Sequence, residues 1–149
     1  MRSRLIGGIR GLVNKFGGGK AAGTPEAPGD DWQSEYSPCL DGDPDPGEVV
    51  WTWVPYEDDP AEGKDRPVVI VGRQGQNLLG VALTSKLHPN VMQVTVGPGP
   101  WDPAGRRSYA KVDRLLLVDP HRVRREGAVL ERQHFDDVVA GVRRTNRRA

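Results

Sequence analysis

From Gly47 to Val118 the chain repeats one texture: short runs of β-branched and aromatic residues, each stopped by glycine, proline or a polar turn. That punctuation fits many short strands, with no regular alternation of strand and long helix. Glu48-Val49-Val50-Trp51-Thr52-Trp53-Val54 reads as a strand stopped by Pro55. Pro67-Val68-Val69-Ile70-Val71 reads as a short buried strand. Gln74-Gly75-Gln76-Asn77 forms a tight turn into residues 78–84, which predicts a hairpin. Residues 91–96 are expected to form another strand, ended by Gly97-Pro98-Gly99-Pro100, and residues 109–118 one or two more. Residues 119–125 read as a single helical turn with Pro120 at a favoured first position. Beyond Glu131, Phe135, Val138, Val139 and Val142 form one apolar stripe at helical spacing. Arg143, Arg144, Arg147 and Arg148 sit at the C-terminal end of that helix, where positive charge complements its dipole. Five or six short strands and a closing amphipathic helix in about 100 residues predict a mainly β fold, a small and strongly bent barrel. So small a core leaves apolar surface that a homodimer would cover.

The first 47 residues differ. They hold 15 of the 32 glycines and prolines of the 149-residue chain. Residues 20–46 are expected to be an acidic disordered linker, because such a stretch buries too little to offset its ordering entropy. Residues 1–19 form a basic tail in which Leu5, Ile6, Ile9, Leu12, Val13 and Phe16 recur at helical spacing, against the helix-weakening Gly7, Gly8 and Gly11. Membrane contact by residues 1–16 is one reading of that tail. The barrel domain is expected over residues 47–149.

A formal net charge of +1 hides an asymmetry. Residues 21–65 carry 13 acids against Lys64 alone, whereas residues 66–149 carry 15 lysines and arginines against 7 acids. A polyanion partner suits the basic part, and the acidic linker is a candidate internal blocker of it. No apolar run reaches the roughly 20 residues of a membrane span. Cys39 stands alone, so no intrachain disulfide is possible, and no Cys/His cluster has metal-site spacing. A reducing cytoplasm and no cofactor are the expectation. P-loop, HExxH, nucleophile-elbow and dinucleotide-binding patterns are all missing.

Two joins stand out: Gly63-Lys64-Asp65-Arg66-Pro67 leading into an apolar strand, and Ala82-Leu83-Thr84-Ser85-Lys86 closing the next. With Gly47 to Trp51 before them, and the late strand, short turn and helix of residues 112–142 after them, the order and spacing resemble the MazF/PemK family of toxin ribonucleases. The resemblance covers about residues 47–145. It implies an SH3-like barrel of the MazF/PemK/CcdB type that forms homodimers. It also implies metal-free cleavage of single-stranded RNA, and a small antitoxin protein as partner.

Carried onto this sequence, the resemblance makes Arg66 the catalytic arginine and Thr84 the catalytic threonine. The chemistry suits them. Attack of a ribose 2′-OH on the adjacent phosphate builds negative charge on its oxygens; a guanidinium matches two of those oxygens, and a hydroxyl donates one hydrogen bond more. Arg66 is a poor base because its pKa is so high; His88, four residues past Thr84, is the candidate base. Ser85, Lys86 and Trp53 are candidates for substrate binding, Lys86 from charge and position, and Trp53 as a base-stacking ring or a core residue. The bland alternative for Thr84 is a strand-end hydroxyl satisfying a nearby backbone group. Asp65 is the nearest acid with which Arg66 would pair. Two other functions compete: a barrel of the same fold that binds nucleic acid or protein without cutting, and a membrane-tethered interaction module.

Overall fold

The computed structural model describes residues 32–39 and 43–146. The readings of residues 1–19 and 20–31 lie outside the described residues. Elements run in the order β1 (Glu48–Pro55), β2 (Gly63–Gln74), β3 (Asn77–Thr84), β4 (Val94–Gly97), β5 (Ser108–Ala110), β6 (Leu116–Val118), a 3-10 turn (Pro120–Arg122), β7 (Arg124–Val129) and α1 (Arg132–Asn146). The strands form one seven-stranded sheet in the order β4-β5-β3-β2-β1-β7, with β6 also paired to β3. Every pairing is antiparallel. The architecture is a curled half-barrel closed by one C-terminal helix, in keeping with the expected SH3-like class.

The hairpin between β2 and β3 turns where Gln74 pairs with Asn77, and Gly75 supplies the positive φ of 63° that the turn requires. Strand β3 divides its outer edge: its first half pairs with β6 and its end with β5. Register shifts in β1/β7, β2/β3 and β4/β5 sharpen the bend. Two apolar clusters fill the two faces. The larger packs Val49, Val69, Val81 and Leu83 against Phe135, Val138 and Val142 of α1; the smaller joins Val50, Val54, Val68, Ala82, Leu116 and Val118. The helix stripe read from sequence is therefore the buried face of α1.

Three sequence expectations change. Residues 124–129, partly assigned to a helical turn, form β7 along β1; their Arg-Arg-Glu-Gly start carries no strand signal, and the pairing is tertiary. Strand β2 begins at Gly63, before its apolar run, because Val54 and Pro55 pair with Lys64 and Gly63. The described part of the acidic linker is packed. Trp32 is buried in the larger cluster, Gln33 exchanges two backbone hydrogen bonds with Arg73 (3.0 and 2.8 Å), and the Tyr36 hydroxyl donates to the Leu130 carbonyl at 2.7 Å. Gly72 lets this strap approach, since a Cβ there would collide with the Gln33 carbonyl and the Trp32 ring. One buried ring, Trp32, and one half-buried ring, Tyr36, on a short segment offset its ordering entropy, which a compositional reading misses.

Candidate active site

Strand alternation sorts the candidates. In β1, Thr52 and Val54 are buried while Trp53 is 49% exposed, so Trp53 stands on the opposite face from Thr52. Arg66 pairs with Thr52 across β1 and β2 and so shares its face. A shallow pocket at the rim of the smaller cluster is lined by Arg66, Lys111 and Arg114, with Val54, Ala82 and Leu116 as its apolar wall and Tyr56 and Glu57 at its edge. Lys111 reaches this place because its backbone N–H donates to the Ala82 carbonyl at 3.0 Å, just past the end of β5. Among the described residues, neither Arg66 nor Lys111 has an acidic partner within ion-pair distance.

Asp65 does not neutralise Arg66. Its carboxylate accepts from Arg124 Nη2 at 2.7 Å, on the side of the sheet where Arg124 also lies 6.0 Å from the Trp51 ring. Glu57 lies 3.9 Å from Arg114. Asp113, adjacent to Arg114 and two residues past Lys111, is exposed and does not line the pocket; its carboxyl is pushed above the ordinary range, first by partial burial and then by the charge of Glu57, with Lys111 and Arg114 opposing. The described linker residues lie on the larger cluster, away from this pocket, so they do not block it.

Thr84 ends β3, half-buried, and its Oγ1 accepts from the Lys86 backbone N–H at 3.2 Å. The local role foreseen for a strand-end threonine is therefore present. It leaves the hydroxyl proton free to donate elsewhere, because a hydroxyl both accepts and donates. The β2–β3 ladder ends at Val68 and Ala82; continued by two residues, its register aligns Arg66 with Thr84 on one face. Ser85 and Lys86 follow on the bend beyond. His88 is exposed on the next loop, where its backbone N–H donates to Gln93 Oε1 at 2.8 Å, and it does not line the Arg66 pocket. Of the sequence candidates Arg66 alone lines it. Lys111 and Arg114 were missed, because they precede β6 in an irregular stretch and only the fold brings them to the pocket with Arg66; their charge was the one available signal.

No helix among the described residues is long and apolar enough to cross a membrane. Residues 45–145 match the family described as PemK-like, MazF-like toxin of type II toxin–antitoxin system. No curated protein matches the chain.

Proposed function

The chain belongs to the PemK-like, MazF-like toxin family of type II toxin–antitoxin systems, and from that premise we propose that it is a metal-independent endoribonuclease acting on single-stranded RNA in the cytoplasm. Membership in the family implies a growth inhibitor held in check by a cognate antitoxin. The observation that carries the enzymatic reading is the Arg66–Lys111 pair: two cations without acidic partners among the described residues, at one pocket, with Arg66 on the sheet face that the continued β2–β3 register shares with Thr84.

In this reading the substrate phosphate lies against Arg66, whose fork takes two of its oxygens, with Lys111 beside it. The 2′-oxygen attacks phosphorus, the P–O5′ bond breaks, and the products are a 2′,3′-cyclic phosphate and a 5′-hydroxyl. Thr84 donates its hydroxyl proton to an oxygen that gains charge in the five-coordinate state. Asp113, which adjoins the pocket-lining Arg114 and feels the charge of the pocket-lining Glu57, takes the 2′-OH proton in place of His88. A carboxylate with raised proton affinity is a better acceptor than an ordinary one. Lys111, which lines the same pocket as Arg66, returns a proton to O5′. Exposed Leu87 and Met92, on the loop after β3, supply apolar surface for the proposed homodimer.

The test uses wild type, Arg66→Ala, Thr84→Ala and Asp113→Asn on long single-stranded RNA with EDTA present. Cleavage by wild type alone, leaving cyclic phosphate ends, is expected. Wild-type protein that binds RNA without cutting it, in full-length form and lacking residues 1–31, overturns the enzymatic reading.

A further inference from the structure

The sheet face that carries Arg66 and Thr84 continues past them, onto β5 and β4. Thr84 pairs with Tyr109 on β5, and Tyr109 pairs with Thr95 on β4. On β5, Ser108 and Ala110 are buried toward the larger cluster, so Tyr109 between them points to the opposite face, where its ring is half-exposed. Thr95 is exposed between Val94 and Val96, which pack on the larger cluster. One cross-strand row therefore runs Arg66, Thr84, Tyr109, Thr95: a cation, a hydroxyl, an aromatic ring and a hydroxyl.

Positive charge flanks this row. Strands β3 and β5 are antiparallel, so Lys86, after the end of β3, and Arg107, just before β5, fall at the same end of the pair. Both are exposed, and neither has an acidic partner among the described residues. A flat ring between hydroxyls, bordered by cations on a polar sheet face, suits a strand with a charged backbone and flat bases. It suits an apolar peptide or a lipid surface poorly.

We infer that Tyr109 is the base-stacking residue of this chain. It holds the nucleotide next to the phosphate at Arg66, and Lys86 and Arg107 contact the following backbone. This rests on the reading of the chain as an RNA-binding toxin and deepens it, since a stacked base beside the reacting phosphate gives the protein a means of preferring one nucleotide there. The ring matters and the phenolic hydroxyl does not, because stacking uses the π-face.

The test measures binding of 2′-O-methyl homopolymer oligonucleotides, which cannot be cut, to full-length wild type, Tyr109→Phe, Tyr109→Ala and Arg107→Ala at several salt concentrations. In parallel, the ends released from native RNA are sequenced. Base–aromatic stacking predicts that Tyr109→Ala weakens binding about 5- to 100-fold and relaxes the preference at the cut site, while Tyr109→Phe stays within about threefold of wild type. Arg107→Ala should weaken all four homopolymers alike and flatten the salt slope by about one. Thermal unfolding and sedimentation of each variant distinguish these effects from misfolding or altered assembly. The inference falls if a folded Tyr109→Ala binds and cuts like wild type, if Tyr109→Phe is as weak as Tyr109→Ala, or if Tyr109→Ala changes only the oligomeric state. Wild type that binds the oligonucleotides without cutting native RNA sinks the enzymatic reading alone, because the binding comparison still decides the role of Tyr109. Wild type that binds none of them sinks both.

Discussion

Arg124 of β7 holds Asp65 of β2 through a 2.7 Å Nη2–Oδ2 contact, so the acid preceding Arg66 in sequence is engaged on the opposite side of the sheet. Both partners are about half exposed, and such pairs contribute at most about 1 kcal/mol. Asp65→Asn should therefore leave RNA cleavage within about threefold of wild type, whereas Arg66→Ala should lower it by a hundredfold or more, on the order of what one preorganised donor supplies. Side-by-side cleavage rates check this, and equal losses for the two variants would contradict the separation of faces.

Thr84 accepts from the Lys86 N–H, the proposed reaction adds a hydrogen bond donated to the phosphate, and two different readouts separate these roles. Thr84→Ser keeps an oxygen for the Lys86 N–H and a proton for the phosphate, so activity should persist. Thr84→Val keeps the shape and loses both. It should reduce the rate by about 10²–10³ and cost about 1 kcal/mol in stability through the lost hydrogen bond to the Lys86 N–H. Single-turnover cleavage and urea unfolding read the two effects independently.

In the proposed reaction Asp113 sets a pH dependence whose sign follows from its raised carboxyl. A base must be ionised, so activity should rise with pH through a midpoint above the ordinary aspartate value of 3.8. Glu57→Gln removes one charge that raises the midpoint and should move the acid limb to lower pH. It should also strengthen RNA binding, because a negative charge near Arg114 is gone. The stability sign is opposite to that of a paired carboxylate. The folded protein holds the Asp113 proton more tightly than the unfolded chain, so its contribution is present below 3.8 and is lost as pH rises through the folded value. Asp113→Asn should accordingly be inactive yet at least as stable at neutral pH, measured by pH–rate profiles and thermal unfolding.

Trp32 anchors the strap that precedes the barrel, buried under Arg143 at 4.2 Å from ring centroid to guanidinium carbon. Trp32→Ala should destabilise by about 3–5 kcal/mol, the usual result of emptying a buried aromatic site. Trp32→Phe should cost less than about 1.5 kcal/mol, because the indole N–H has no hydrogen-bond partner among the described residues. A truncation starting at residue 47 should unfold at markedly lower temperature than one starting at residue 32. Equal melting temperatures would reduce the strap to decoration.

Much of the fold was legible in local sequence. Pro55 stops β1, the Gln74–Asn77 turn sets the hairpin, and Phe135, Val138 and Val142 give α1 its buried stripe, because strand period, turn chemistry and helix period are properties of neighbouring residues. The Arg66-Pro67 and Thr84-Ser85 motifs were visible for the same reason. Tertiary structure alone decided which charges meet. Lys111 comes to Arg66 through a hydrogen bond to Ala82, Asp65 turns to Arg124 because adjacent strand residues face opposite ways, and Tyr109 meets Thr84 through a pairing about 25 residues along the chain. Trp32 and Tyr36 were read as linker because composition averages over a segment, whereas two rings that find the core suffice to order it. Periodicity is local and survives in the sequence; the pairing of distant edges depends on register and sheet curvature, which only the folded chain provides.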